Sequence, residues 1–463
     1  MTIGKFPHFN RPTWQFAAGE PRGIVLASRR ALRHSRLMAM SNRGQIGARA
    51  VTRNIKLLRA NGLVLAVTLC AIGAAACLIP AAAENANADS VKPTQSYKMP
   101  PSESSAWPYY DARVEIERYA AVAYESYQAA SEAAHELQDA VSAFLDEPTD
   151  ATLAAARGAW LKVRAAYMAT EGLRFYGGPI DGAALARIDP WPVDEGFIDG
   201  IDGKPDGGLI GDPKIAITRQ TLSRPPGAAD PTHAATGFHV IEFLLWGQDK
   251  NPGAANGRLP ADFQLGGAHH ADRRRLVLQT ATKLLVEDLD QLTAAWAPRT
   301  KGNYAEAFLA LDPREALGRM LAGMSILADQ AIARERLLGV LDDRIRAKPL
   351  GRYSLHTNDD LTADLDGIRI LWTGDDRQSY GTGLDGLVQS LDPALAQQMD
   401  RRLAAAQAAL RLLDKPFDHL LSVPPDSDGW KHVDGAAVAF HRLARTIQEI
   451  GKLLAVSVPM SAP

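Results

Sequence analysis

Residues 237–249 read Gly-Phe-His-Val-Ile-Glu-Phe-Leu-Leu-Trp-Gly-Gln-Asp. Between the two glycines every residue except His239 and Glu242 is apolar. Three residues apart on a helix, the imidazole and the carboxylate lie on one face and can meet one ion. Phe238, Val240, Ile241, Phe243, Leu244, Leu245 and Trp246 would bury that face, and a buried carboxylate needs a partner or a metal. Gly237 lets another backbone or a ligand come close, and Thr236 is placed to cap the helix start. On the residues alone two readings stand: a metal site, or a buried His–Glu hydrogen bond.

The rest of the chain reads as helix on both sides of this segment. Ile116, Ala120, Ala123, Tyr127, Ala130, Ala134, Leu137, Val141 and Leu145 make one apolar stripe at helical spacing. A turn at Pro148 leads into a second helix over about 151–175. Residues 177–213 are rich in Gly, Pro and Asp, a long ordered loop whose length hints at function. A short helix near 215–222 and the His239 helix complete the first half. A domain boundary is expected at 251–267, and helices follow near 271–296, 312–345, 358–372, 393–413 and 430–456. No strand pattern is present. The reading is all-α: two antiparallel helical bundles over 109–250 and 268–458.

The second helix carries an oddity. Trp160, Arg164, Tyr167, Glu171 and Arg174 fall at the spacing of a core-facing stripe, yet three of the five are charged. A solvated face is one reading. Against it, Ala155, Ala156, Leu161, Val163, Ala165, Ala166, Met168 and Leu173 leave no clearly polar side elsewhere. Arg164 and Arg174 could bracket Glu171 and hold it ionised, a carboxylate suited to a metal or to a hydrogen bond with His239.

The N-terminus looks like an export signal. Residues 1–60 hold twelve Lys/Arg and one acid, Glu20; residues 61–83 hold no charge, and small residues follow. Residues 1–88 are therefore expected to be a targeting region, with the true start near Met38 or Met40, and 89–108 a disordered Pro/Ser-rich linker. An uncleaved membrane anchor is the rival reading. Without residues 1–83, which hold twelve of the 51 basic and one of the 53 acidic residues, the remainder carries a net charge of −13. That sign disfavours nucleic acid as a partner. Both cysteines, Cys70 and Cys77, lie in the apolar run, so the exported part has no disulfide, thiolate site or cysteine nucleophile.

The 237–249 stretch resembles the Gly-x-His-x-x-Glu signature of the imelysin family, with its Glu-Phe-Leu-Leu-Trp-Gly-Gln-Asp continuation. Tyr119 to Leu145 is similar to that family's first long helix. Trp160 to Arg164, Tyr167, Glu171 to Phe175, Gly178 to Asp181 and Ile188 to Glu195 are similar to its next block. Ser354, Asn358 and Asp364, leading to Gly367-Ile-Arg-Ile-Leu-Trp-Thr-Gly374, resemble a later block less closely. The resemblance implies an all-helical cell-envelope protein linked to iron uptake, in a family first named for a peptidase activity. It implies His239 and Glu242 as metal ligands with Glu171 next, and Trp160, Arg164, Tyr167, Arg174, Asp181, Gly237, Ser354 and Asn358 around them. Other envelope iron-uptake components are the implied partners.

Peptidase chemistry meets an obstacle in the residues. A zincin needs His-Glu-x-x-His, and the inverted form needs His-x-x-Glu-His, but position 243 is Phe. A ferritin-like di-iron centre needs two Glu-x-x-His pairs, and only one pair, in the opposite order, is present. His269-His270 reads as an exposed pair in a Gly-rich loop. The expected function is a periplasmic or cell-envelope protein with one metal site between two bundles. Imidazole plus carboxylates suits iron or zinc. The alternatives are a metallopeptidase using the same ion, and a structural or haem-associated envelope protein in which His239–Glu242 is only a buried pair. On the binding reading, His239→Ala is expected to lower metal affinity and leave melting nearly unchanged.

Overall fold

Arg113–Asp146 form a first long helix, α1, and the whole apolar stripe from Ile116 to Leu145 is buried along it. The structure, a computed structural model, describes residues 110–201, 204–224, 230–248, 257–342, 349–374, 383–424 and 426–462. The expected signal and linker, with Cys70 and Cys77, lie outside the described residues, as does the first part, 251–256, of the expected boundary at 251–267. Among the described residues the elements are helical, and one isolated bridge joins Ile201 to Lys204. No helix among them is long and apolar enough to cross a membrane.

The second helix, α2, spans Asp150–Met168 behind a capping box at Thr149 and Thr152, which satisfies amide groups that the first turn leaves open. It is shorter than the apolar pattern predicts. The chain leaves the α-form after Met168 and makes a 3-10 turn over Glu171–Leu173, so Glu171 and Arg174 stand beyond the helix rather than on its stripe. The long loop that follows is ordered by short helical turns at Ala183–Ile188, Glu195–Ile198 and Gly208–Gly211. The central helix, α3, spans Phe238–Trp246 and every one of its residues is buried. Its N-cap is Gly237. Thr236 does not cap it, and the Thr236 hydroxyl is buried without a partner.

The helix α4, Ala271–Trp296, matches the expected span but packs along α1. The helix expected to open the second bundle thus completes the first, because its buried face of Val277, Leu278, Ala281, Leu285, Leu289 and Leu292 fits the stripe on α1. The second bundle is built from α5 (Pro313–Ile326), α6 (Thr357–Thr373), α7 (Pro393–Leu410) and α8 (Asp428–Leu453).

After Ile326 the α5 helix continues with π geometry over Leu327–Leu338. Side chains there pair at five-residue spacing, Arg334 with Asp329 and Gln330 with Glu335, where an α-helix would pair residues three or four apart.

Where the bundles meet, backbone touches backbone. A Cβ at Gly323 of α5 would lie 2.1 Å from the Gly172 carbonyl oxygen, and one at Gly367 of α6 would lie 2.3 Å from that of Ala169. These glycines let α5 and α6 close directly over the turn that carries Glu171. Asp181 holds the next bend, accepting from the backbone N–H of Phe175, Tyr176, Gly177 and Gly178 at 2.9–3.2 Å.

Candidate metal centre

The start of α3 is fixed by its neighbours. The Trp160 indole N–H donates to the Phe238 carbonyl at 3.1 Å, and the Tyr167 ring lies 4.8 Å from that of Phe238. Gly237 has φ 97°, and a Cβ there would meet the carbonyl oxygens of Arg187 and Ile188 at 2.6 and 2.7 Å. Its lack of a side chain brings the 187–189 backbone onto the helix start, and Asp189 beside His239.

His239 and Glu242 do meet, and both side chains are fully buried. Nδ1 of His239 lies 3.0 Å from Glu242 Oε2. The other Glu242 oxygen accepts from the Ser354 hydroxyl at 2.7 Å and from its backbone N–H at 2.9 Å. Ser354 thus reaches in from the loop before α6 and holds the carboxylate. His239 Nε2 lies 3.1 Å from Asp189 Oδ1, off the line of a good hydrogen bond. The Trp191 ring covers the imidazole at 4.2 Å between centroids.

Behind Asp189 stands Arg164. Its guanidinium donates to Asp189 at 2.6 Å and to Asp360 of α6 at 3.1–3.3 Å, and it lies over the Phe238 and Tyr167 rings. Three carboxylates (Asp189, Glu242 and Asp360) therefore share one guanidinium and one imidazole in a buried space. Burial alone would push the Asp189 carboxyl up, but Arg164 and His239 hold it well below the usual range. Burial raises Asp360 despite Arg164. Burial pulls the His239 imidazole down, yet its contacts with Asp189 and Glu242 outweigh that, and its pKa stands above the ordinary value. A positive charge at this position is favoured.

Glu171 is placed differently. Its side chain is fully buried, and Arg174 (2.7 Å) and Arg336 (2.6 Å) both bond it. The second arm of Arg336 bonds Asp364. Burial raises the Glu171 carboxyl, and the two arginines bring it below its ordinary value. A carboxylate with both oxygens engaged by guanidinium groups has little left for a metal. No hydrogen bond or ion pair joins it to His239 among those described. Asn358 is also structural: its amide donates to the Asp414 carbonyl at 3.0 Å and accepts from the Phe417 N–H at 2.9 Å.

Sequence reasoning did not single out Asp189, Asp360, Trp191 or Arg336 as site residues, although Asp189 and Trp191 fall in the block Ile188 to Glu195 that carries the family resemblance. Asp360 reads as an ordinary acid in the first turn of a helix, where the dipole welcomes it. Asp189 lies in a Pro-rich loop, and the available signal was that loop's unusual length.

Residues 123–447 match the family model described as imelysin. The chain is 26% identical over 312 residues to iron-regulated protein A of Synechococcus elongatus, covering 65% of this chain and 75% of that protein. Two solved structures share its fold. One, named an iron-regulated protein A precursor from Parabacteroides distasonis, superposes with a TM-score of 0.58 at 19% identity, over 76% of this chain and 98% of that one. The other, an imelysin-like protein from Psychrobacter arcticum, gives 0.52 at 16% identity over the same shares.

Proposed function

The chain belongs to the imelysin family, and from that premise we propose that it is a cell-envelope metal-binding protein in iron handling, with His239 at its one buried metal site. The observation that carries this reading is the placing of Asp189 and Glu242 on the two nitrogens of His239, with Arg164 shared between Asp189 and a third buried carboxylate, Asp360. Negative charge in excess inside a protein is costly unless a cation offsets it.

The residues fit a metal ion by their chemistry. Nε2 of His239 is a buried nitrogen lacking a well-aligned partner and faces an aspartate oxygen. We assign Nε2 and Asp189 as the first ligands. Glu242 lies on the opposite ring nitrogen, where it fixes the tautomer and raises the basicity of the ligand. Ser354 holds Glu242 in turn. Glu171 serves the frame around the site, and Arg174 and Arg336 fasten it. Imidazole with carboxylate oxygen suits Fe²⁺, Fe³⁺ or Zn²⁺. The relative in Synechococcus elongatus is named for iron regulation, which favours iron as the cargo. Export to the periplasm follows from the charge-free run 61–83, and other envelope iron-uptake components are the fitting partners.

Anaerobic titration of the purified protein with Fe²⁺ tests the reading. One equivalent should bind at this site. His239→Gln and Asp189→Asn should each weaken it by tenfold or more while the far-UV spectrum stays helical. Unchanged affinity in both variants would sink the assignment.

A further inference from the structure

A second cluster of ligating side chains lies outside this centre, at the other end of the long loop. Asp206 of the loop meets His269 and His270, the two residues just before α4. The Asp206 carboxylate oxygen lies 3.0 Å from His270 Nε2 and 3.3 Å from His269 Nδ1. All three ligand atoms fall within 4.8 Å of one another. For metal–ligand bonds of 2.0–2.1 Å, the edge of a tetrahedron is about 3.3 Å, so both contacts to Asp206 have the spacing of neighbouring ligands on one ion.

The arrangement is built rather than incidental. His270 holds φ 55°, ψ 25°, the left-handed conformation that a residue with a side chain adopts at a cost. Three residues on, in the first turn of α4, Arg273 clamps the loop by donating to the carbonyls of Leu209, Ile210, Asp212 and Ile215 at 2.7–2.8 Å. Arg274 pairs with the buried Asp199 at 2.7 and 3.0 Å. Arg273 and Arg274 thus pin both flanks of Asp206 to the start of α4. This prepays the ordering of three side chains that a surface metal site otherwise has to supply.

We propose that Asp206, His269 and His270 bind one borderline divalent transition-metal ion, of which Zn²⁺ is the probe, at a surface site separate from His239. Two imidazoles and one carboxylate supply three ligands. The exposure of His269 and Asp206, 67% and 69%, leaves the fourth position to water or to a donor from another molecule. Binding takes neutral imidazoles and so releases any proton they hold.

Calorimetric titration with Zn²⁺ at pH 7.5, followed by Co²⁺ absorption in the visible, reads the site directly. The paired variant His269→Ala, His270→Asn keeps a residue tolerant of the left-handed backbone. It should lose one Zn²⁺ equivalent and the intense tetrahedral Co²⁺ bands while keeping the wild-type melting curve. Asp206→Asn should weaken the same equivalent about tenfold, and it serves as the reporter if the paired variant melts early. His239→Gln should leave this equivalent and its bands in place, so failure here and failure of the buried centre are told apart. Wild-type stoichiometry and affinity in both Asp206→Asn and the paired variant would overturn the proposal and leave a hydrogen-bonded surface cluster.

Discussion

His239 Nε2 stands 3.1 Å from Asp189 Oδ1, on the edge of the imidazole opposite Glu242. The ring is therefore bonded at Nδ1 by an acid of its own helix and faces at Nε2 an acid from the long loop. A histidine held this way has its orientation fixed before any ion arrives. It is also part of the core, and its replacement has a structural cost.

His239→Ala should therefore destabilise the fold as well as weaken metal binding, unlike the near-neutral melting that the residue pattern alone suggests. Glu242 would lose its charged partner, and removing one member of a buried pair costs about 3–5 kcal/mol. His239→Gln, which keeps a hydrogen-bonding group, should lose less. Urea unfolding of the two variants side by side checks the order; equal stability of wild type and His239→Ala would contradict it.

Gly237→Ala should weaken metal binding without touching a ligand. The backbone there has φ 97° and ψ 178°, a conformation that costs a residue with a side chain of order 1–3 kcal/mol. The added Cβ would also press on the Arg187 and Ile188 carbonyls. Relief requires the loop to move outward, taking Asp189 from His239. A lower melting temperature together with a lower Fe²⁺ affinity is expected, and wild-type values for both would refute the argument.

Glu171→Gln should separate framework from ligand. It leaves Arg174 and Arg336 short of a counter-charge in a buried setting, at roughly 3–5 kcal/mol. Asp189→Asn should reduce Fe²⁺ affinity more than Glu171→Gln does when both are measured well below their melting temperatures. The reverse order would return Glu171 to the ligand set.

Asp364 should give the protein a declining stability toward alkaline pH. Burial pushes its carboxyl from 3.8 up to about 7, with Arg336 opposing. The folded state thus favours the protonated acid more than the unfolded chain does. That contribution is complete below the ordinary value and is lost as pH rises through about 7. Melting temperatures taken from pH 5 to pH 8 should fall more steeply for wild type than for Asp364→Asn. Parallel curves would show that Arg336 keeps the acid ionised throughout.

Purified protein loaded with zinc or iron should show negligible cleavage of an unfolded protein substrate. Hydrolysis at a metal needs an open coordination position and a base near the water, and His239 and Glu242 are both fully buried. Activity that a chelator removes, metal restores and His239→Gln abolishes would show a peptidase after all.

The helices were legible because burial leaves a period in the sequence. The α1 stripe and the limits of α4 follow from apolar spacing alone, and His239–Glu242 stands out as a polar pair on an apolar helix. Asp189 left no such trace, since a loop residue has no period and its partner is set by Gly237's contact with a distant backbone. The charged stripe on α2 was half informative. Arg164 is buried as that pattern implied, but the helix ends before Glu171, which finds Arg336 instead of His239. Arg336 itself could not be placed by counting in steps of 3.6 residues, because it lies in the π segment.

That segment makes α5 sensitive to length in an unusual way. Each turn over Leu327–Leu338 closes with one residue more than an α-turn. Loss of a single residue before Arg336, with the rest of the coil keeping its winding, would leave the hydrogen bonding intact. Everything beyond the loss would swing about 100° around the axis, carrying Arg336 away from Glu171 and Asp364. The helix would survive such a deletion while the charge balance between the bundles failed. Gene variants that lengthen or shorten this stretch by one codon should therefore be harder to tolerate than most substitutions within it.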